Sequence, residues 1–257
     1  MITIEIIDLK NYKYNYDLLK KISSNDIIPV IKTNAYQIGA SEVIKTLDNV
    51  KLFAVNDIYE AIALKKELEN KEVLLLSKLQ VNDYHLLQKM DNIILTITSL
   101  DDIINLSTYG NLTKIKVHIY IDTGMNRFGF SNLKDFLKAL EMLDSNKFKL
   151  TGIYSHITSK NNFLKQLEKF KTFTKYTPNL YKHLCATTTY LEKENSYPSR
   201  VGLDLICDGT KPYLKEVLKV VASVLEVRKI KRGESVGYNE EYIANKDTFI
   251  AISNPLL

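Results

Sequence analysis

The sequence predicts an α/β architecture: a (β/α)8 barrel of the TIM type, followed by the start of a β-rich C-terminal domain. Three observations predict it. Eight short apolar, strand-like runs alternate with segments of helical periodicity. The chain has 257 residues, close to the roughly 250 that one such barrel takes. After the eighth run the spacing changes to strand-like alternation. A doubly wound open sheet is the runner-up, because the order of elements alone does not separate the two.

In chain order the strand-like runs lie near Ile28 to Lys32, Leu52 to Val55, Val73 to Leu76, Ile93 to Thr96, Ile115 to Ile121, Leu150 to Ser155, His183 to Cys185 and Val201 to Leu205. Helical spacing fills the gaps, as at Tyr59 to Leu68, Leu133 to Leu143 and Leu164 to Tyr176. Ahead of the first run, Ile4 to Leu9 leads into Asn11-Tyr12-Lys13-Tyr14-Asn15. Val220 to Lys229 and Glu241 to Ile252 read as antiparallel strands, with Lys231-Arg232-Gly233-Glu234 as a turn. Gly209 and Pro212 punctuate Asp208 to Tyr213, which sets the expected domains at 1–212 and 213–257.

Composition removes several classes of function. The 35 basic and 30 acidic residues give a net charge of only +5. They are interleaved: Leu64 to Lys71 carries Glu67 and Glu69 among its lysines, as a solvated helix face does, so no nucleic-acid partner is expected. No apolar run approaches the ~20 residues of a membrane span. The start Met1-Ile2-Thr3-Ile4-Glu5 carries acid early and lacks the basic leader of a signal peptide. Cys185 and Cys207 are too few for a disulfide framework, so reduced, buried thiols in a cytoplasmic protein are expected. No Cys/His spacing suggests a metal site.

Candidate chemistry sits at the carboxyl ends of the predicted strands, where barrel enzymes carry it. The first run ends at Lys32, in Ile31-Lys32-Thr33-Asn34-Ala35-Tyr36-Gln37-Ile38-Gly39. Burial strips water from an ammonium and favours the neutral, nucleophilic amine that covalent catalysis on a carbonyl needs; the plain alternative is a solvated lysine at a strand end. Asp122-Thr123-Gly124-Met125-Asn126-Arg127-Phe128-Gly129 follows the fifth strand, and His156 ends the sixth. Thr188, in Cys185-Ala186-Thr187-Thr188, follows the seventh, where a helix start would favour an anion. Arg200-Val201-Gly202-Leu203 opens the eighth, and Gly233-Glu234-Ser235-Val236-Gly237-Tyr238 lies in the β-rich part. His85, His118 and His183 are read as structural.

Taken together these stretches resemble the alanine racemase family, fold-type III enzymes dependent on pyridoxal 5'-phosphate (PLP). The matching family patterns are V-x-K-x-N-A-Y-G-x-G, K-x-D-T-G-M-x-R-x-G, A-N-S, R-x-G-I and G-E-x-V-x-Y-G-x-x-Y. The resemblance implies a PLP-dependent isomerase that interconverts L- and D-alanine and supplies D-alanine for cell-wall peptidoglycan. It implies that Lys32 holds PLP and acts as one base, and that Tyr238, reaching the site of the other subunit of a homodimer, acts as the second. Tyr36, Thr188, Gly202 and Leu203 would hold the phosphate. Arg200 would face the pyridine nitrogen, His156 would stack near the ring, and Arg127 would orient the cofactor and a small amino-acid substrate.

This chain departs from these patterns at several positions. Gln37 replaces a glycine, Thr187 an asparagine, and Tyr120 the often carbamylated lysine that pairs with the arginine. A phenol brings no negative charge to that pair. The chain ends at Leu257, where the family would continue for roughly a hundred further residues of its second domain. A PLP-binding barrel without racemase activity, acting as a cofactor carrier, and an inactive shortened racemase are therefore the alternatives.

Overall fold

The eight apolar runs become eight parallel strands that close into a ring. Strand one, Ile27–Pro29, pairs with strand eight, Ser199–Val201. A bridge from Val30 to Ala54 joins strand one to strand two, Leu52–Val55. Parallel pairing continues through Glu72–Leu75, Ile93–Ile97, Lys116–Tyr120, Lys149–Tyr154 and Tyr181–His183. Leu184 interrupts strand seven, and Cys185–Ala186 resumes it against strand eight. Pairing of the first strand with the last excludes the open doubly wound sheet.

The computed structural model describes residues 3–109, 115–146, 148–207 and 211–253. They fall into two compact units: Leu9–Val217, which holds the barrel, and the described residues of Met1–Asp8 with Leu218–Leu257. The domain boundary expected near Asp208 to Tyr213 rests partly on residues 208–210, which lie outside the described residues.

Within the barrel unit, side chains alternate inward and outward along each strand. Strands one to four contribute an apolar wall of Ile28, Val30, Ala54, Leu74 and Ile94. The opposite wall is polar and aromatic: Thr96, His118, Tyr120, Tyr154, His183 and Arg200 are all buried. Gly152 makes room for this wall, since a Cβ there would lie 2.5 Å from His118 Nε2. The helix Leu9–Ser23 is tied to the chain after strand eight by its buried Asn15. That amide donates to the carbonyls of Leu205 (3.0 Å) and Lys215 (2.8 Å), and its oxygen accepts the Lys215 N–H at 2.8 Å.

Some elements differ from expectation. Strand eight runs Ser199–Val201 rather than Val201 to Leu205, and Leu203–Ile206 is a short helix. Val201, Leu203 and Leu205 alternate at strand spacing, but a segment this short does not let periodicity separate a strand from one helical turn. The helix expected over Tyr59 to Leu68 spans Ile58–Ala63, where Asp57 caps it, and then tightens into an i→i+3 turn at Lys65.

The smaller unit is antiparallel throughout. Thr3–Ile7 pairs with Leu218–Ala222, Val224–Ile230 with Thr248–Ser253, and Ser235–Val236 with Tyr242–Ile243. The turn at Lys231 to Glu234 forms as expected. Glu234 N–H donates to the Lys231 carbonyl, and Gly233 supplies a left-handed φ of 88°. The expected single strand from Val220 to Lys229 is broken at Ser223 into two that take different partners.

Candidate active site

A cavity of about 390 Å³ opens at the carboxyl ends of the barrel strands. Lys32, Tyr36, Arg127, His156, Thr188, Arg200 and Gly202 all line it, although they come from five different loops and strands. Leu203 begins the short helix just past Gly202. Tyr238 belongs to the other compact unit and is 93% exposed, on a turn spanning Tyr238–Glu240.

Lys32 is half-buried and begins an unusual piece of backbone. Thr33, Asn34, Ala35, Tyr36 and Gln37 all have positive φ, between 53° and 74°, so the chain makes a left-handed turn without a glycine in it. This conformation costs an L residue roughly 1–2 kcal/mol. Hydrogen bonds offset the cost: Ala35 N–H donates to the Ile31 carbonyl, Gln37 N–H to Thr33, and the Asn34 side-chain oxygen accepts the Ala40 N–H at 2.9 Å. The turn places Lys32 Nζ 5.9 Å from the centre of the Tyr36 ring. The Tyr36 hydroxyl in turn packs on Gly202 so closely that a Cβ there would lie 2.4 Å from it. The phenol and the bare backbone make a small polar cradle.

Arg200 is only 4% exposed, and its hydrogen-bond acceptors are neutral. Its guanidinium donates to His183 Nδ1 (2.6 Å), the Ser155 carbonyl (2.6 Å), the Leu184 carbonyl (3.3 Å) and His156 Nδ1 (3.4 Å). Guanidinium only donates, so both histidines must present a bare Nδ1 and carry their proton on Nε2. His183 Nε2–H then donates to His118 Nδ1 at 3.0 Å. Burial, reinforced by the Arg200 charge, pushes His118 and His156 down to about 3, and His183 well below the usual imidazole range. All three are neutral acceptors at pH 7. Tyr154 completes the group, stacked on His183 at 4.5 Å with its hydroxyl 2.6 Å from Thr96 Oγ1.

Arg127 is exposed on a loop that Asp122 fixes, its carboxylate accepting the Gly124 and Asn126 N–H groups at 2.9 and 3.0 Å. The guanidinium lies 4.5 Å over the Phe128 ring and 5.9 Å from the centre of Tyr120. Tyr120 is buried, packed edge-on against Phe128 and Tyr154, with its hydroxyl 3.8 Å from Met125 Sδ. Aromatic faces support this arginine at the position where the resemblance would put an anion.

Two sequence expectations need correction. Thr188 does not begin a helix. Residues 187–190 form a turn, closed by the Thr189 N–H to the Ala186 carbonyl and by Ala186 N–H to Thr189 Oγ1. Three successive β-branched threonines favour such local bonding over a helix. Of the two thiols expected to be buried, Cys185 is, and Cys207 is half-buried; both are free. His183 was not legible as a site residue. Only its inward alternation along strand seven, ahead of Arg200 in strand eight, could have pointed to it.

Residues 7–208 match the model of the alanine racemase N-terminal domain. Across 263 residues the chain is 31% identical to an alanine racemase of Fusobacterium nucleatum, covering 96% of this chain and 73% of that one. The chain belongs to the alanine racemase family. With the family come PLP dependence and isomerase chemistry. Among solved structures, alanine racemase from Bartonella henselae with covalently bound pyridoxal phosphate aligns at TM-score 0.80 and 26% identity, over 98% of this chain and 74% of that one. A histidine racemase from Leuconostoc mesenteroides shares the fold at TM-score 0.77 and 22% identity, over 97% of this chain and 73% of that one. The residues of the cavity fit PLP: a primary amine, a cradle without a side chain at Gly202 beside a phenol, and a buried guanidinium line one cavity.

Proposed function

We propose that this chain is a PLP-dependent racemase that interconverts L- and D-alanine, supplying D-alanine for cell-wall peptidoglycan. The observation that carries the reading is the convergence of Lys32, Tyr36, Arg127, His156, Arg200 and Gly202 on one cavity in a member of this family. Alanine is the substrate named for the relatives at 27–31% identity, which supports it over other small amino acids.

PLP, when bound, supplies the electron sink that makes the Cα proton of an amino acid removable. Lys32 would hold it. Tyr36, Thr188 and the Gly202 and Leu203 backbone would take its phosphate. Lys32, its amine freed when the substrate amino group takes its place, would take or return the Cα proton on one face. Inversion needs a second base on the other face, and Tyr238 of a partner subunit in a homodimer is assigned that role. Arg200 would face the ring. It cannot readily give up a proton, so it leaves the ring nitrogen unprotonated and the sink weak, which favours racemisation over transamination. His156 is neutral and accepts from Arg200, so it orients that guanidinium rather than moving a proton itself. Arg127 would take the substrate carboxylate. Among the described residues no helix is long and apolar enough to cross a membrane, and we place the enzyme in the cytoplasm.

The test is racemisation of L-alanine by the PLP-loaded protein, followed by chiral chromatography. D-alanine formation that Lys32→Ala abolishes supports the reading. An intact Lys32 adduct without D-alanine would instead favour a carrier of PLP, the reading to which the replacement of charged support by Tyr120 also points.

A further inference from the structure

The left-handed turn that carries Lys32 and Tyr36 is held from outside by a side chain that neither the motif nor the mechanism uses. Glu60 lies in the first turn of helix Ile58–Ala63, three residues after its cap Asp57. A glutamate there commonly folds back onto the cap residue's own N–H. Here its carboxylate bridges two chain segments instead. Oε1 accepts the Thr33 N–H at 2.5 Å, and Oε2 accepts the Asn56 N–H at 2.7 Å. Thr33 is the first left-handed residue after Lys32, and it is β-branched, the residue type least suited to positive φ. Asn56 lines the cavity, and its side-chain oxygen accepts from Ser77 Oγ at 3.0 Å, so the brace spans the ends of strands one, two and three.

We propose that Glu60 is a positioning residue whose carboxylate holds the left-handed turn, so that Lys32 and Tyr36 face the cofactor together. In a left-handed turn, as in a right-handed one, residues four apart share a face. If the turn relaxes toward ordinary backbone, the amine and the phenol no longer point to one place. The proposal rests on the reading of Lys32 and Tyr36 as PLP residues, but the state of the turn is measurable without PLP.

The experiment compares wild type, Glu60→Gln and Glu60→Gln/Thr33→Gly by amide hydrogen exchange of the segment 30–40 and by PLP titration. Glutamine keeps the shape but offers one acceptor oxygen where two N–H groups need one each. Expected are faster exchange of the segment and roughly 10- to 100-fold weaker PLP binding in Glu60→Gln, the range for a lost charge-assisted hydrogen bond. Glycine takes positive φ without steric cost, so Thr33→Gly restores both toward wild type. Wild-type exchange and affinity in Glu60→Gln would overturn the proposal. So would a defect that Thr33→Gly leaves unrepaired, because Glu60 would then act elsewhere. Glu60→Asp, which keeps the charge but is too short to bridge both N–H groups, is expected to show the same exchange defect. If wild type takes up no PLP, the exchange data still decide the brace, and the cofactor reading alone fails.

Discussion

The residue with the clearest energetic signature is Gln37. It stands where the family pattern carries a glycine, and it has a φ of 74°. A glycine there would relieve strain without removing a contact that the cavity needs. Gln37→Gly is expected to stabilise the protein by about 1 kcal/mol, read as a higher midpoint in urea with an unchanged slope; a lower midpoint would contradict the strain. Gly202 is the reverse case. A Cβ there would lie 2.4 Å from the Tyr36 hydroxyl, so Gly202→Ala should weaken PLP binding by roughly tenfold or more through displaced phenol or backbone. Fluorescence titration with PLP reads this directly. At this scale the sequence named several side chains that line one cavity. Lys32, Tyr36, Arg127 and Arg200 could be named because each stands in a short pattern with fixed spacing, and His156 because it ends a predicted strand. His183, His118 and Glu60 could not, because their roles depend on partners 17, 65 and 27 positions away.

Among the elements, the parallel strands were legible because both their faces are buried and they read as continuous apolar runs. Strand ends were less so. Strand one stops near Pro29, which has no N–H to give, and strand eight stops at Val201, with a helical turn beginning at Leu203 inside the same predicted run. The left-handed turn after Lys32 had no signal, since composition carries no sign of φ when glycine is absent. The apolar wall makes its own prediction. Leu74 is fully buried in the cluster with Val30, Ala54 and Ile94. Leu74→Ala should cost about 2–5 kcal/mol in chemical denaturation, and a cost below 1 kcal/mol would mean the wall is loosely packed.

Taken whole, the molecule holds a cation and its neutral acceptors at the barrel centre, and this sets its response to acid. His118, His156 and His183 have folded-state values depressed from 6.5, to about 3 for the first two. A histidine held neutral in the native state takes its proton only on unfolding. The unfolded chain therefore binds more protons between pH 6.5 and about 3, and stability falls as pH falls through that window. For the two fully buried rings, His118 and His183, the loss is at most about 1.4 kcal/mol per pH unit each. Urea midpoints measured at pH 7, 6, 5 and 4 should drop steadily below pH 6.5, and a flat profile would contradict the neutral relay.

The central claim is that the cavity at Lys32 is a PLP site, and one measurement reaches it most directly. The protein is mixed with PLP, its visible absorbance is recorded, and it is reduced with borohydride and digested for peptide mass spectrometry. The expected result is a visible band lost on reduction and a reduced pyridoxyl adduct on Lys32, absent from Lys32→Ala. A chain that forms no adduct, or carries it on surface lysines with Lys32 unmodified, would contradict the account.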